Sequence, residues 1–156
     1  MRLYILFCFL LLAVICSSRV DASLVKFGPL CSGNSNQIRG HDKWGDGYYG
    51  ASRGGRKHMG LDIVCADGDT VYAPFDVKLD GKATPYKKNN AINDGINLIG
   101  KGLCFKLFYV KPDRYSGTLK KGAKLGTLLP MQSVYPGITS HVHVQMRDKS
   151  DPTKYF

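Results

Sequence analysis

The sequence contains no glutamate: its twelve acidic residues are all aspartates, set against 22 lysines and arginines for a net charge of +10. That absence excludes any mechanism whose general base must be Glu, the H-E-x-x-H metalloproteases among them. The chain also lacks an Asn-x-Ser/Thr sequon, so N-glycosylation is not expected. It has no internal repeat, no low-complexity tract and no recognisable nucleic-acid motif, and nucleic acid is not an expected partner. No window of helical length carries a 3.6-residue apolar stripe. Beyond the first residues, no segment is apolar enough to span a membrane, so no membrane insertion is expected.

The N-terminus reads as a leader. Arg2 precedes an apolar run from Leu3 to Cys16, and Val20-Asp21-Ala22 fits the small-x-small rule for signal-peptidase cleavage before Ser23. The apolar run is shorter than the roughly 20 residues of a spanning helix. The expectation is a signal peptide over 1–22, a single mature domain over 23–156, and a secreted, extracellular protein. The mature part keeps 20 basic and 11 acidic residues, a net charge of +9. Such a surface suits acidic extracellular partners such as sulfated glycans or a bacterial surface. Cys31, Cys65 and Cys104 remain; an oxidising compartment favours one disulfide and leaves one cysteine over.

What is abundant is glycine, 18 residues, spaced between short β-favouring runs. The runs are Leu61–Cys65, Thr70–Phe75, Val77–Leu79, Ile96–Ile99, Leu103–Val110, Lys124–Leu129 and Val142–Met146. Turn signals such as Asp80-Gly81, Asn93-Asp94-Gly95 and Lys120-Lys121-Gly122 separate them. This spacing predicts an all-β fold, mainly antiparallel sheet or sandwich with long Gly-rich loops. Cys31–Arg56, rich in Gly, Ser, Asn and Lys, reads as an ordered but irregular arm laid over the sheet.

Three of the four histidines fall in two tight clusters, His58-Met59-Gly60-Leu61-Asp62 and His141-Val142-His143. Strand alternation puts His141 and His143 on one face, and by the same parity His58, Gly60 and Asp62 on one face. The alternate residues, Val142, Val144, Leu61 and Ile63, then feed a core. Two such strands side by side converge imidazoles and a carboxylate on one point, the donor set zinc prefers. His58, Asp62 and His143 are the expected ligands of one Zn2+ per chain, with a fourth position open and His141 beside it, placed to accept a proton.

These two clusters, with Gly68-Asp69-Thr70-Val71-Tyr72-Ala73-Pro74 between them, resemble the lysostaphin/LytM-type zinc endopeptidases, which cut peptide cross-bridges in bacterial cell walls. The stretches Asn89–Gly95, Tyr115-Ser116-Gly117, Lys121–Pro130 and Val134–Ile138 extend the resemblance to a secreted vertebrate branch of that fold, over nearly all of Cys31–Thr153. The resemblance implies a LytM-like metallopeptidase fold, zinc on His58, Asp62 and His143, and His141 as the remaining active-site-type histidine. It also implies a chemotactic, cytokine- or hepatokine-like signal of innate immunity, acting through a cell-surface receptor. Two departures accompany it. The peptidases use a second catalytic histidine from a Tyr-x-His-Leu strand end; here the stretch reads Tyr109-Val110-Lys111-Pro112, which puts Lys111 in the histidine slot. Lysine is charged near neutral pH and has no lone pair to accept a proton. The expectation is therefore no enzyme and no working catalytic residue. The second departure concerns disulfides. The branch implies a Cys31–Cys65 bridge, but His41 and Asp46 stand where a short-loop pair would be, and Arg147 stands where Cys104 would find its mate. The alternatives are an active zinc endopeptidase acting on glycine-rich cross-bridges, and a basic glycan-binding defence protein.

Overall fold

The structure, a computed structural model, describes residues 25–156. The expected leader and its junction at Ser23 lie outside these residues. The described chain is all-β, as its glycine-punctuated apolar runs predict. It forms β1 (His41–Asp42), β2 (Gly45–Asp46), β3 (Leu61–Val64), β4 (Thr70–Tyr72), β5 (Val77–Lys82), β6 (Gly95–Gly100), β7 (Leu103–Phe108), β8 (Val110–Pro112), β9 (Ser116–Leu119), β10 (Lys124–Leu128) and β11 (His141–Met146). Every pairing is antiparallel. Six strands form one sheet in the order β3-β11-β7-β6-β5-β9, and three form another in the order β4-β10-β8. None of the described helices is long and apolar enough to cross a membrane.

Between the sheets lies a core of Leu30, Leu61, Ile63, Val71, Phe75, Phe105, Val142 and Val144, all almost fully buried. Phe27, Phe75 and Phe105 meet edge to face at 5.0–5.7 Å, the packing that aromatic quadrupoles favour. A smaller cluster of Ile92, Met131 and Ile138 packs under Tyr86, Tyr109 and Tyr135. Burying an aliphatic side chain contributes roughly 1.5–3 kcal/mol, and β11 buries Val142 and Val144 on the core side. Its register is therefore fixed, and the histidines that alternate with them, His141 and His143, must face the other way.

The arm over Cys31–Arg56 is more regular than its composition indicates. It contains the β1–β2 hairpin and closes the free edge of β3 with backbone bonds: Arg39 N–H to Asp62 O at 2.8 Å, Val64 N–H to Gln37 O at 2.8 Å, and Asp62 N–H to Gly47 O at 2.9 Å. In the hairpin His41 lies opposite Asp46, with His41 Nδ1 2.9 Å from Asp46 Oδ1. A polar contact thus occupies the place of the missing short-loop disulfide. Cys31 and Cys65 are bonded, as expected. Cys104 is not without a partner, which corrects the expectation of one cysteine left over. Arg147 sits beside it, its N–H donating to Cys104 O at 3.0 Å, while its guanidinium pairs with Asp80 at 2.6 Å.

Candidate metal centre

β3 and β11 are antiparallel neighbours with His143 directly opposite Asp62 and His141 opposite Val64. This register brings the two sequence clusters together. Asp62, His141 and His143 are all buried, and His58 is 8% exposed. His58 does not belong to β3; it enters from the preceding segment, held by His58 N–H to Ala51 O at 2.8 Å and Gly50 N–H to His58 O at 2.7 Å. Gly60 makes the approach possible: a Cβ there would lie 2.5 Å from His143 Cε1 and Nε2 and from Val144 O.

The ring protons can be assigned from their partners, because a carbonyl oxygen only accepts. His58 Nδ1 lies 2.9 Å from Tyr48 O and His141 Nδ1 2.7 Å from Thr139 O, so each carries its proton on Nδ1. His143 Nε2 lies 3.2 Å from Gln145 Oε1, which places its proton on Nε2. The bare nitrogens are then His58 Nε2 and His143 Nδ1, 3.1 Å apart. They lie 3.1 and 3.0 Å from Asp62 Oδ1, which is also an acceptor. Three lone-pair donors that converge with no proton between them repel one another, and a cation at their centre removes the repulsion. A tetrahedral zinc with bonds of about 2.0–2.1 Å separates its ligand atoms by about 3.3–3.4 Å, close to these spacings. The outer carbonyls and amide that fix each ring are the support a metal-ligating histidine ordinarily has. His58, Asp62 and His143 therefore fit a metal ion, and their ligand atoms form the one such group among the described residues.

The other carboxylate oxygen is held separately. Arg39 Nη1 donates to Asp62 Oδ2 at 3.0 Å, and the rest of the guanidinium clamps Asp42 at 2.7 and 3.1 Å. His141 Nε2 lies 3.4 Å from Asp62 Oδ2. Burial lowers its imidazole to about 4, against the pull of Asp62, so at neutral pH it presents a bare Nε2.

Lys111 is exposed on β8 and does not line the cavity that contains the cluster. From that strand end the residue that does is Tyr109, whose ring stands edge-on to His141 at 5.5 Å. The backbone supplies the reason. Tyr109 adopts φ 70°, which ends β7, starts β8 and breaks the alternation that a continuous Leu103–Val110 strand would keep. Burial pushes its phenol up to about 12. Its hydroxyl lies 3.3 Å from that of Tyr86, which is 2.8 Å from that of Tyr135. Sequence reading missed Tyr109 because parity fails there. It missed Arg39 because an arginine in a polar arm looks solvated; the Arg39/Asp42 spacing was the only local sign of its pairing.

A buried His-Asp-His cluster brought together by two neighbouring strands and the segment before them defines an all-β domain with a candidate metal centre. The comparisons place it more narrowly. No protein-family model matches the chain. It is 57% identical over 125 residues to leukocyte cell-derived chemotaxin-2 of Mus musculus, covering 80% of this chain and 83% of that one. It is 54% identical over 128 residues to the Bos taurus protein of the same name, covering 81% and 85%. Myeloid protein 1 of Gallus gallus is 52% identical over 128 residues, covering 80% of this chain and 39% of that longer one. The chain belongs to the leukocyte cell-derived chemotaxin-2 family. Among solved structures, Helicobacter pylori Csd3 aligns with TM-score 0.55 at 13% identity, over 85% of this chain and 33% of that one, a likeness of fold alone.

Proposed function

We propose that the protein is a secreted, zinc-binding chemotactic signal, built on a peptidase-like fold and acting by binding a cell-surface receptor. The observation that carries this reading is a complete ligand triad beside which one active-site-type histidine stands, with Tyr109 and not Lys111 reaching the same cavity from the strand end. His58 Nε2, Asp62 Oδ1 and His143 Nδ1 would hold the ion. A zinc bound there supplies Lewis acidity and acidifies a coordinated water. Around it His141 Nε2 can accept a proton. Tyr109 cannot share that task, because a protonated phenol is a donor and a poor base at neutral pH. Peptide hydrolysis needs a proton accepted and later delivered to the leaving amine; the chain has no Glu to take over the second part. The family name and the Cys31–Cys65 bridge support an extracellular role.

Metal analysis and a cleavage assay on one preparation test the reading. About one zinc per chain is expected, with His143→Ala and Asp62→Ala losing most of it and His141→Ala retaining it. Chelation should lower the melting temperature, because an ion that binds only the native state stabilises it by mass action, about 4 kcal/mol at a thousandfold excess over Kd. Pentaglycine peptides and bacterial cell walls should remain uncut. Zinc-dependent cleavage lost in His141→Ala would make the protein an endopeptidase instead.

A further inference from the structure

The cavity around the metal cluster has a volume of about 620 Å3, and its wall is unusual in charge. Arg56, Lys57 and Lys149 line it, all three are exposed, and none has a carboxylate within ion-pair distance among the described residues. Asp62 is the one acid in the wall, 1% exposed and already engaged by Arg39 and the imidazoles. The lysines that stand out in the sequence, at the Lys120–Lys124 turn, are placed differently. Lys120 lies 3.4 Å from Asp76 and Lys124 3.9 Å from Asp113, while the Lys121 N–H donates to Asp76 at 2.9 Å. Two of the three lysines at that turn thus face a carboxylate, whereas none of the three exposed cations at the cavity does.

Its presentation is built. Ser52 and Lys57 pair across a tight turn in which Gly54 and Gly55 take φ of 56° and 93°, and Arg53 N–H donates to Arg56 O at 2.8 Å. Arg53 is fixed by bonds to the carbonyls of Ser52 and Asp46. Opposite in chemistry, Trp44 is 40% exposed, packed edge-on to Tyr135 at 5.0 Å, with its indole N–H on Pro136 O at 3.1 Å. The wall thus offers flat aromatic faces, the phenols of Tyr86 and Tyr135, and cations with free hydrogen-bond donors.

We infer that this cavity is a seat for a sulfated glycan chain. Sugar rings present apolar C–H faces to aromatic rings and hydroxyls to phenols, and the sulfates take the unpaired cations. An acidic peptide would satisfy the cations as well, but an extended peptide gains most by adding to an open strand edge. The edge beside this cavity, β3, is already closed by the arm through Arg39, Gln37 and Gly47. The inference deepens the extracellular binding role proposed above; it rests on that role for its setting and not on the metal.

Trp44 is the single tryptophan of the chain, so its fluorescence reports on the cavity rim. The test uses the full secreted chain, a size-defined heparin hexasaccharide as probe, and two variants that each remove three positive charges. One is Arg56→Ser/Lys57→Ser/Lys149→Ser, the other Lys120→Ser/Lys121→Ser/Lys124→Ser. All six residues are exposed, and melting curves check that both variants fold. The hexasaccharide should change Trp44 emission in the wild type and in the turn variant, with affinity falling as salt rises. The rim variant should lose about tenfold or more in affinity. Equal loss in both variants, a greater loss in the turn variant, or no fluorescence response at low salt would overturn the inference. So would polyaspartate that titrates Trp44 as tightly as heparin at matched charge, which would assign the cavity to acidic protein. Zinc content measured on the same samples keeps failure of the metal reading separate from failure of this one.

Discussion

At the scale of single residues, the centre depends on how closely two strands approach, and Gly60 sets that distance. A methyl group there meets the Val144 carbonyl, which the β3–β11 ladder holds in place, and the His143 ring. Gly60→Ala should displace His143, weakening zinc binding by about 10–100-fold and the fold by about 1–3 kcal/mol. Competition with a chromophoric chelator and a denaturant titration measure the two effects. Unchanged zinc affinity would show that the ring can yield. Asp42 makes a different prediction. Its burial would raise the carboxyl, but the Arg39 guanidinium and the N–H groups of Thr139 and Trp44 lower it to about 2 from 3.8. A carboxyl depressed on folding stabilises the fold fully above its unfolded value, and loses that contribution as pH falls through the folded one. Between about pH 4 and pH 2 the protein should therefore lose about 2 kcal/mol from this group, and Asp42→Asn should flatten that limb of the stability profile. The ligand residues were legible in the sequence because i, i+4 and i, i+2 spacings have a structural meaning. Arg39 was not, because its partner Asp62 is 23 positions away and only the fold brings them together.

At the scale of elements, legibility followed hydrophobic alternation. β3, β4, β7 and β10 fall within the apolar runs, while β6 overruns its run by one residue at each end and β11 by one residue at its start. β9, Ser116–Leu119, is largely exposed and polar, an edge strand with no buried face to mark it. β5 runs on through Asp80-Gly81 to Lys82, because Gly81 at φ 94° turns an expected stop into an irregularity of the β5–β6 register. The hairpin of β1 and β2 is two residues per strand and was hidden in a polar arm. That arm is attached by the disulfide: Cys31 pairs with Val71 of β4 as an isolated bridge, and Cys65 follows β3. The bond therefore links the start of the arm to the ends of strands in both sheets. Its closed loop spans 34 residues in sequence, and replacing both cysteines with alanine should cost about 3–4 kcal/mol in the chain-entropy description. Urea midpoints of the two proteins give the difference, and a shift of less than about 1 kcal/mol would show that the arm's own hydrogen bonds suffice to hold it.

At the scale of the whole molecule, the composition described the protein well. A basic, glycine-rich, glutamate-free chain without helical periodicity became an antiparallel β structure in which three exposed cations line one cavity. What composition could not convey is the order in which the parts are joined. β11 comes last among the strands, yet it lies inside the six-stranded sheet between β3 and β7. It carries two of the cluster's histidines and two valines of the core. During synthesis every other described strand emerges first, and the sheet must wait with a vacant lane until β11 follows. Until then β3 and β7 each show an unpaired edge, the kind of surface that recruits other chains. The candidate metal group cannot assemble on a chain that lacks β11 either, since His143 lies on that strand. A chain cut before β11 has neither a closed sheet nor the third residue of the candidate metal group.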